Sequence, residues 1–387
     1  MNVPKLRFKE FNDEWITYKF YDLVSIINGQ VDPNKKGYCN LPHIGPGNIE
    51  KETGRLLEYN LAKDDKLISS KYLFNEKSVI YGKINPHFAK VCYPKFVGLC
   101  SADAYPINPI EEKLTSTFLL YLLLNPKFTK FATSVSMRTG MPKINRDELG
   151  IYKFTIPKIN EQIKIGKTLS LLDKKIELQT KKIEDLKLFK KGLLKNIINS
   201  CNIRKIPLKK IINEVINKST INNQYEILSS TSNGLFLQKE YFNKQAASND
   251  NTGYKIIKKG QLVLSPQNLW MGNININNTY NIGIVSPSYK IFNINEDIVN
   301  IDYFNYWIKS PRALYEYLIS SEQGASIVRR NLNIDLFNEI LVELPTREEQ
   351  DKIGKQLNNI DIKISLEIKQ LNKLNQLKKG LMQNMFV

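Results

Sequence analysis

Two stretches of this chain, "IPKINEQIKIG" at residues 156–166 and "LPTREEQDKIG" at residues 344–354, share a proline, a Glu-Gln pair and a Lys-Ile-Gly triplet. Matching positions lie 188 residues apart, and 19 residue pairs are identical between Pro157 and Asn199 in that register. The repeat distance is close to half of the 387-residue chain. The sequence therefore predicts an internal duplication, in which one structural unit occurs twice.

A heptad pattern follows each of these stretches, with apolar residues at every seventh position and a second series three positions later. Such a pattern predicts one long helix per copy with a seam that pairs with another helix. Two such helices in one chain pack most economically against each other in an antiparallel coiled coil. The alternative is that each helix packs on its own globular segment. The predicted helix–helix residues are Leu169, Leu172, Ile176, Ile183, Leu186, Leu193, Leu357, Ile360, Ile364, Leu371, Leu374 and Leu381.

Polar residues mark the starts and the interiors of the two predicted helices. Thr346 and Glu349 have the spacing of a capping box after Pro345, and Asn160 is the corresponding cap predicted in the first copy. Gln179 and Glu367 interrupt the two seams at matching positions.

The segments before the long helices have a mixed pattern. Short apolar runs at 78–82, 261–265 and 281–286 predict strands, whereas 114–136 and 300–321 predict helix pairs interrupted by proline. The predicted fold class is mixed (α+β), with two α/β globular domains and two long antiparallel helices in a pseudo-two-fold internal repeat. The predicted domains are residues 1–153 (first globular domain), 154–200 (first helical spacer), 201–341 (second globular domain) and 342–387 (second helical spacer).

The charge balance points to a polyanionic partner. The chain has 56 Lys and Arg against 38 Asp and Glu, which gives a net charge of +18. Basic side chains that displace counterions from phosphates supply much of non-specific nucleic-acid affinity. The alternative is a genome composition that favours Lys and Asn. No apolar run reaches the length of a membrane span, and the N-terminus has no apolar signal core, so we expect a cytoplasmic location without membrane contact.

Motifs for catalysis are missing from the sequence. The two histidines, His43 and His87, and the four cysteines have no spacing typical of a zinc site. The "GKT" at residues 166–168 lacks the first glycine of a phosphate-binding loop, and no Gly-rich loop after a strand offers a site for S-adenosylmethionine. We therefore expect a protein that binds without catalysing a reaction, with no catalytic residue and no metal site.

Four loops carry the cations, amides and small residues that contact base edges and phosphates. Residues 134–143 and 321–330 are equivalent in the two copies, and residues 81–90 and 265–273 form a second equivalent pair. Their aromatic residues are equally compatible with packing at a domain edge. The stretch at residues 98–107 resembles the stretch at residues 283–292, and each contributes one serine. The predicted DNA-binding residues are Lys83, Lys90, Ser101, Arg138, Lys143, Gln267, Asn268, Ser286, Arg329 and Arg330.

Two variable globular segments, each followed by a "P-x-x-x-E-Q-x-K-I-G"-like stretch and a heptad helix, resemble the DNA specificity subunit of type I restriction-modification systems. The resemblance covers essentially the whole chain. It implies that each globular segment is a target recognition domain for one half of a bipartite, asymmetric DNA sequence. It also implies that the two helices form a spacer that sets the gap between the halves.

The same resemblance implies partners. Two modification (methyltransferase) subunits would dock on this chain, with exposed apolar positions such as Leu178, Leu366, Phe189 and Leu377 as docking surface; core packing explains these positions equally well. Restriction (motor-nuclease) subunits would complete the complex. S-adenosylmethionine, ATP and magnesium would belong to those partners, and none to this chain. The alternative function is a stand-alone DNA-binding or structural coiled-coil protein without enzyme partners.

Overall fold

The computed structural model describes residues 3–137, 140–200, 203–241, 250–323 and 330–387. The chain forms two compact units: unit 1 is Met1–Lys182 with Glu367–Val387, and unit 2 is Ile183–Leu366. Each unit therefore contains one globular part and a portion of each long helix. This grouping differs from the four consecutive segments predicted above, which remain a prediction about functional domains.

Both units contain helices and strands. The helices are α1 (Phe20–Leu23), α2 (Ser116–Leu124), α3 (Pro126–Val135), α4 (Arg146–Ile151), α5 (Ile159–Ser200), α6 (Leu208–Ile211), α7 (Gln238–Tyr241), α8 (Ile301–Trp307), α9 (Pro311–Ile319), α10 (Ile334–Asn338) and α11 (Arg347–Asn384). The strands of unit 1 are β1 (Ile16–Lys19), β2 (Val24–Ile26), β3 (His43–Ile44), β4 (Tyr72–Phe74), β5 (Val79–Gly82), β6 (Val91–Cys92), β7 (Gly98–Cys100), β8 (Ala104–Pro109) and β9 (Lys153–Ile156). Those of unit 2 are β10 (Arg204–Pro207), β11 (Ile212–Glu214), β12 (Leu228–Thr231), β13 (Gly234–Leu237), β14 (Lys255–Lys258), β15 (Leu262–Leu264), β16 (Ile274–Ile276), β17 (Ile282–Val285), β18 (Lys290–Ile294), β19 (Ser321–Gln323), β20 (Arg330–Leu332) and β21 (Leu341–Leu344).

The central sheets of the two units have the same topology. The strand order is β2-β8-β5-β6 in unit 1 and β11-β18-β15-β16 in unit 2, and every neighbouring pair is antiparallel. Smaller sheets surround each central sheet, including β1-β9 and β10-β21, which directly precede the two long helices. The predicted mixed fold class with an internal repeat is confirmed.

The prolines that interrupt the predicted helix pairs begin the second helix of each pair. Pro126 is the first residue of α3 and Pro311 the first residue of α9, where a missing backbone N–H costs nothing. The preceding residues cap these helices: the Asn125 side chain accepts from the Lys127 backbone N–H, and the Ser310 side chain accepts from that of Ala313. The proline therefore separates two packed helices without leaving an unsatisfied donor.

The repeated Glu-Gln and Lys-Ile-Gly residues of the first copy dock α5 on its globular part. Gln162 is fully buried and donates to the Lys113 carbonyl at 2.8 Å, while its own amide oxygen accepts from the Thr115 backbone N–H at 3.1 Å. One turn later, a Cβ added to Gly166 would lie 3.1 Å from Cγ2 of Thr117. Glycine thus permits the close approach of α5 to the start of α2, and glutamine satisfies backbone groups that this contact buries.

The second copy uses the same two residues in the same way. Gln350 is fully buried, and its amide oxygen accepts from the Asn300 backbone N–H at 2.8 Å, just before α8. A Cβ added to Gly354 would lie 2.9 Å from the Cβ of Asp302, closer than real Cβ contacts allow. The motif that defines the duplication therefore fixes each long helix to the helix pair of its own unit.

The long helices run antiparallel, as contacts within unit 1 show. Asp173 pairs with Lys378 at 2.6 Å, and Gln179 Nε2 donates to Glu367 Oε2 at 2.6 Å. The contact with the higher residue number in α5 therefore has the lower residue number in α11, as in antiparallel helices. Unit 2 has the equivalent ion pair, between Lys190 of α5 and Asp361 of α11, at 2.6 Å. Asp173 and Asp361, like Lys190 and Lys378, occupy matching positions of the duplication.

Each of these ion pairs is completed by a tyrosine from the same unit. Tyr121 Oη donates to Asp173 at 2.8 Å in unit 1, and Tyr306 Oη donates to Asp361 at 2.7 Å in unit 2. The hydroxyl comes from the first helix of the helix pair in both cases. The carboxylate therefore joins both long helices to the globular part of its unit.

The predicted helix–helix residues differ in burial: Leu169, Leu172, Ile183, Leu357, Ile364 and Leu374 are buried, and Ile176, Leu186, Leu193, Ile360, Leu371 and Leu381 are half-buried. Their pairing across the two helices remains a prediction. Gln179 and Glu367 are also buried, and their carboxylate–amide contact compensates for the polar break in the seam. At the helix starts, the predicted capping box is present, since Thr346 and Glu349 bond each other. The cap predicted at Asn160 is wrong, because this residue is the second one of α5.

We expect Leu169→Ala to destabilise unit 1 by about 2–5 kcal/mol, because it removes a fully buried side chain from the seam. Leu171→Ala is the matched control, since Leu171 lies two residues away on the same helix and is 61 % exposed. It should cost less than about 0.5 kcal/mol. Urea denaturation followed by circular dichroism measures both variants. Equal shifts of the two midpoints would contradict the placement of the seam.

Candidate nucleic-acid interface

The two predicted loops of unit 1 lie against each other. The 3₁₀ turn Pro86–Phe88 follows β5, and the segment after α3 returns beside it. The backbone N–H of Asn85 donates to the Pro142 carbonyl at 2.8 Å, and Ile84 pairs with Lys143 in a β-bridge. Residues separated by more than 50 positions in sequence therefore form one surface, which we call the unit 1 loop pair (residues 83–90 with 136–137 and 140–143).

Lys83 is the most unusual cation of the unit 1 loop pair. Its side chain is buried, and its Nζ lies 5.2 Å from the ring centre of Tyr105, where the aromatic face attracts a cation. Burial lowers the pKa of Lys83, and the nearby positive charge of Lys143 lowers it further. Lys143 itself is exposed. An anion placed between these two lysines would relieve their mutual repulsion, so the geometry suits a phosphate.

Arg146 contacts the same tyrosine ring as Lys83 of the unit 1 loop pair, and it was not among the predicted residues. Its guanidinium donates to the carbonyls of Ile26 and Ile27 at 3.2 and 2.8 Å. It also lies 5.3 Å from the ring centre of Tyr105, on which Lys83 packs as well. The nearness of Arg146 to Lys143 in sequence was the only signal available for it, since the aromatic partner is distant in the chain.

The two predicted loops of unit 2 also come together. The 3₁₀ turn Pro266–Met271 follows β15 and packs against β20, the strand that carries Arg330. The Arg330 guanidinium lies 6.0 Å from the ring centre of Trp270 and donates to the Ser321 carbonyl at 2.9 Å. Gln267 in the same turn is exposed, and Asn268 is half-buried. We call this surface the unit 2 loop pair (residues 265–273 with 321–323 and 330–332).

Lys309 positions the end of the turn in the unit 2 loop pair. Its Nζ donates to the carbonyl of Gly272, which ends the turn, at 2.8 Å and to that of Ser232 at 3.2 Å. Burial lowers the pKa of Lys309 to about 8. The matching stretch of the first copy has Leu124 at this place in its "LNPK" sequence, so sequence comparison alone gives Lys309 no special role.

A buried polar network lies behind the unit 2 loop pair. Ser230 Oγ donates to Asn273 Oδ1 at 2.7 Å and accepts from Asn275 Nδ2 at 2.7 Å. Asn273 in turn donates to the Ser230 carbonyl, which also receives the Tyr289 hydroxyl. Satisfied networks of this kind give a loop one defined position. No local sequence pattern predicts it, because its members come from two separate strands and two connecting segments.

Several predicted residues have other roles or lie elsewhere. Lys90 Nζ donates to the Pro46 carbonyl, Ser101 Oγ accepts from the Asp103 backbone N–H at 3.1 Å, and Ser286 Oγ bonds Ser288 Oγ at 2.9 Å. The two serines therefore stabilise their own turns, whereas Lys90 bonds a turn that is remote in the chain. Arg138 and Arg329 lie outside the described residues. Of the aromatic residues in these loops, Tyr81 is buried in the core whereas His87 is exposed.

The comparisons with known proteins agree on one family. Residues 12–188 match the family described as "Type I restriction modification DNA specificity domain". The type I restriction enzyme EcoDI specificity subunit of Escherichia coli is 33 % identical over 162 residues, which cover 42 % of this chain and 35 % of that protein. The MjaVIII specificity subunit of Methanocaldococcus jannaschii is 22 % identical over 97 % of this chain and 94 % of that protein.

A solved structure has the same fold over the whole length. The crystal structure of the type I restriction-modification system S subunit from M. genitalium aligns with a TM-score of 0.62 at 17 % identity, covering 100 % of this chain and 99 % of that one. Residues 12–188 are therefore similar to the DNA specificity domain of type I restriction-modification systems, and the whole chain shares the fold of a solved S subunit, in line with the resemblance of the repeated motif.

The described residues contain no group of three or more His, Cys, Asp or Glu side chains placed to hold a metal ion. Within the same part of the chain, every helix is too short or too polar to cross a membrane.

We expect the stability of unit 2 to rise between about pH 8 and pH 10.5, because Lys309 releases its proton at a lower pH in the folded state than in the unfolded state. The neutral amine keeps two N–H groups, so both carbonyl contacts persist. Denaturation midpoints across this range measure the slope. In Lys309→Leu, which restores the residue type of the first copy, the rise attributable to this lysine should vanish. An identical slope in both proteins would contradict the burial of Lys309.

Proposed function

We propose that this chain is a non-catalytic DNA-recognition subunit whose two globular domains each read one half of a bipartite, asymmetric target. The observation that carries the proposal is the same arrangement in both units, where a 3₁₀ turn after a central strand packs beside the segment after the helix pair. Each loop pair offers cations and amide groups to a ligand, and the side chains differ between units. Two domains with the same backbone arrangement but different surface side chains suit a target with two different halves.

The charge of the chain supports double-stranded DNA as the ligand. The net charge is +18, and Lys83 and Lys143 in unit 1 have no ion pair with any described residue. Phosphates would hold each domain in register, while the amide side chains Gln267 and Asn268 have the donors and acceptors that read base edges. The cytoplasm is the corresponding proposed location.

The long helices are proposed to set the gap between the two half-sites and to dock two methyltransferase subunits. Exposed apolar side chains outside the seam support docking: Leu178 and Leu377 in unit 1 are 56 % and 52 % exposed, and Phe189 and Leu366 in unit 2 are 60 % and 58 % exposed. Core packing within this chain does not cover them. Restriction subunits would join the same complex, and S-adenosylmethionine, ATP and magnesium would bind to the partners.

Methylome sequencing of cells that carry this chain with its modification partners tests the proposal. We expect one asymmetric motif in which two specific half-sites flank a gap of unspecified bases. A methylome identical to that of cells without this chain would contradict a role in target recognition.

Inserting four residues after Lys181 should change the tolerated gap and leave the bases of both half-sites unchanged. The insertion adds about 6 Å of helix at 1.5 Å per residue. The substitution Lys181→Ala at the same exposed position is the control and should leave the gap unchanged. Methylome sequencing measures both variants. An unaltered gap after insertion would rule out the spacer role of the helices.

Replacing Lys143 with Gln should weaken binding of the target about equally across base sequences and reduce the slope of log affinity against log salt by about one. The exposed Lys143 lies in the unit 1 loop pair and is free to contact a phosphate. The control is Lys153→Gln, another exposed lysine of unit 1, on strand β9. Equilibrium binding to a duplex at several salt concentrations measures both variants. Identical slopes for the two would remove Lys143 from the interface.

A further inference from the structure

The methionines of this chain occupy two kinds of place. Five of the six lie within the described residues, and Met382 and Met385 are buried in the core of unit 1. The other three, Met137, Met141 and Met271, are 72 %, 68 % and 42 % exposed. All three exposed methionines belong to the loop pairs defined above. Among the methionines of the described residues, exposure is therefore confined to the candidate binding surface, where a bound ligand would cover these side chains.

The two methionines of the unit 1 loop pair are carried by an anchored backbone. Ser136, which precedes Met137, is fully buried, and its Oγ donates to the Thr133 carbonyl at 3.0 Å. Pro142, which follows Met141, accepts a hydrogen bond from Asn85 through its carbonyl. Both thioether side chains lie next to these hydrogen-bonded residues and are exposed.

The methionine of the unit 2 loop pair is held in a comparable way. Met271 is the last residue of the 3₁₀ turn, and the backbone N–H of the next residue, Gly272, donates to the Leu269 carbonyl at 2.7 Å. Lys309 bonds the Gly272 carbonyl from the other side. Exposed methionine therefore occurs in both loop pairs, although the loops that carry it are not equivalent in the duplication.

The surroundings of these side chains favour DNA over an apolar protein surface as the ligand. Lys143 lies two residues after Met141. Lys83 lies next to Ile84, which forms a β-bridge with Lys143. In unit 2, Arg330 lies over Trp270, the neighbour of Met271. A DNA groove presents phosphates beside apolar groups, above all the C5-methyl group of thymine, which makes each A·T pair distinct in the major groove. Methionine is flexible and polarizable, which suits contact with such a methyl group.

We propose that Met137 and Met141 contact thymine methyl groups in the half-site read by unit 1, and that Met271 does so in the half-site read by unit 2. This inference rests on the proposed function, since it names base contacts of the same interface. The cations of each loop pair would neutralise phosphates, and the methionines would contribute base selectivity. Each half-site should accordingly contain at least one A·T pair.

The test uses the full chain with its methyltransferase partners and a duplex that contains the motif found by methylome sequencing. Thymines of the unit 1 half-site are replaced by uracil, which removes only the C5-methyl group. We expect the affinity of the unaltered protein to fall about fourfold for each contacted methyl group, as for one buried methylene-sized group. The double variant Met137→Ala/Met141→Ala should bind the thymine duplex with a comparable loss, and uracil should weaken it no further.

Two matched variants locate the effect. Ile16→Ala removes another apolar side chain of unit 1, 54 % exposed on strand β1, and should leave the response to uracil unchanged. Met271→Ala should abolish the response to uracil in the other half-site only.

Three results would overturn the inference. The first is an unchanged affinity of the Met137→Ala/Met141→Ala variant for the thymine duplex. The second is a loss of affinity on uracil substitution that is as large for this variant as for the unaltered protein. The third is a half-site without A·T pairs. In each of them the unaltered protein still binds its motif, so the proposed function stands. Absence of specific binding by the unaltered complex would instead contradict the proposed function.

Discussion

The close docking of each long helix on the helix pair of its own unit is the constraint on which the rest of the structure depends. A glycine about two turns into each helix permits a close approach that a Cβ would crowd, and a buried glutamine satisfies the backbone groups at the contact. Gln162 with Gly166 and Gln350 with Gly354 perform this role in the two copies. These residues identify the duplication because few other residue types could replace them.

The pairing of the long helices adds a second constraint, which is also shared by the two copies. An aspartate, a lysine and a tyrosine meet at the junction of both helices with the globular part, as Asp173, Lys378 and Tyr121 do in unit 1. Buried or half-buried charges are costly unless they are paired and hydrogen-bonded, so the three residues depend on one another. Gln179 and Glu367 satisfy each other in the same manner within the seam. Polar contacts thus specify how the helices pair, while the leucines and isoleucines of the seam supply the apolar contact.

The loop pairs of the two copies carry different side chains on central sheets of the same topology. The scaffold that presents them is the same, with equal sheet order and equally placed 3₁₀ turns. Lys83 stacks on Tyr105 in one unit, whereas Arg330 lies near Trp270 in the other. Evolution of a loop is easier than evolution of a helix docking contact, since exposed loop residues have few neighbours to satisfy. Two unlike surfaces on one duplicated scaffold follow from this difference.

The sequence by itself determined the duplication, the long helices with their seam and the mixed fold class, because heptad spacing and a repeated motif are properties of neighbouring residues. It also indicated which loops carry cations. The roles of single side chains follow from the three-dimensional arrangement: Lys83 is buried, Lys90 bonds the Pro46 carbonyl, and Arg146 and Lys309 position the loops. These roles depend on partners that are remote in the chain, such as the Ile27 carbonyl for Arg146 and the Gly272 carbonyl for Lys309. Burial and hydrogen bonding arise from three-dimensional proximity, which no local pattern of residues encodes.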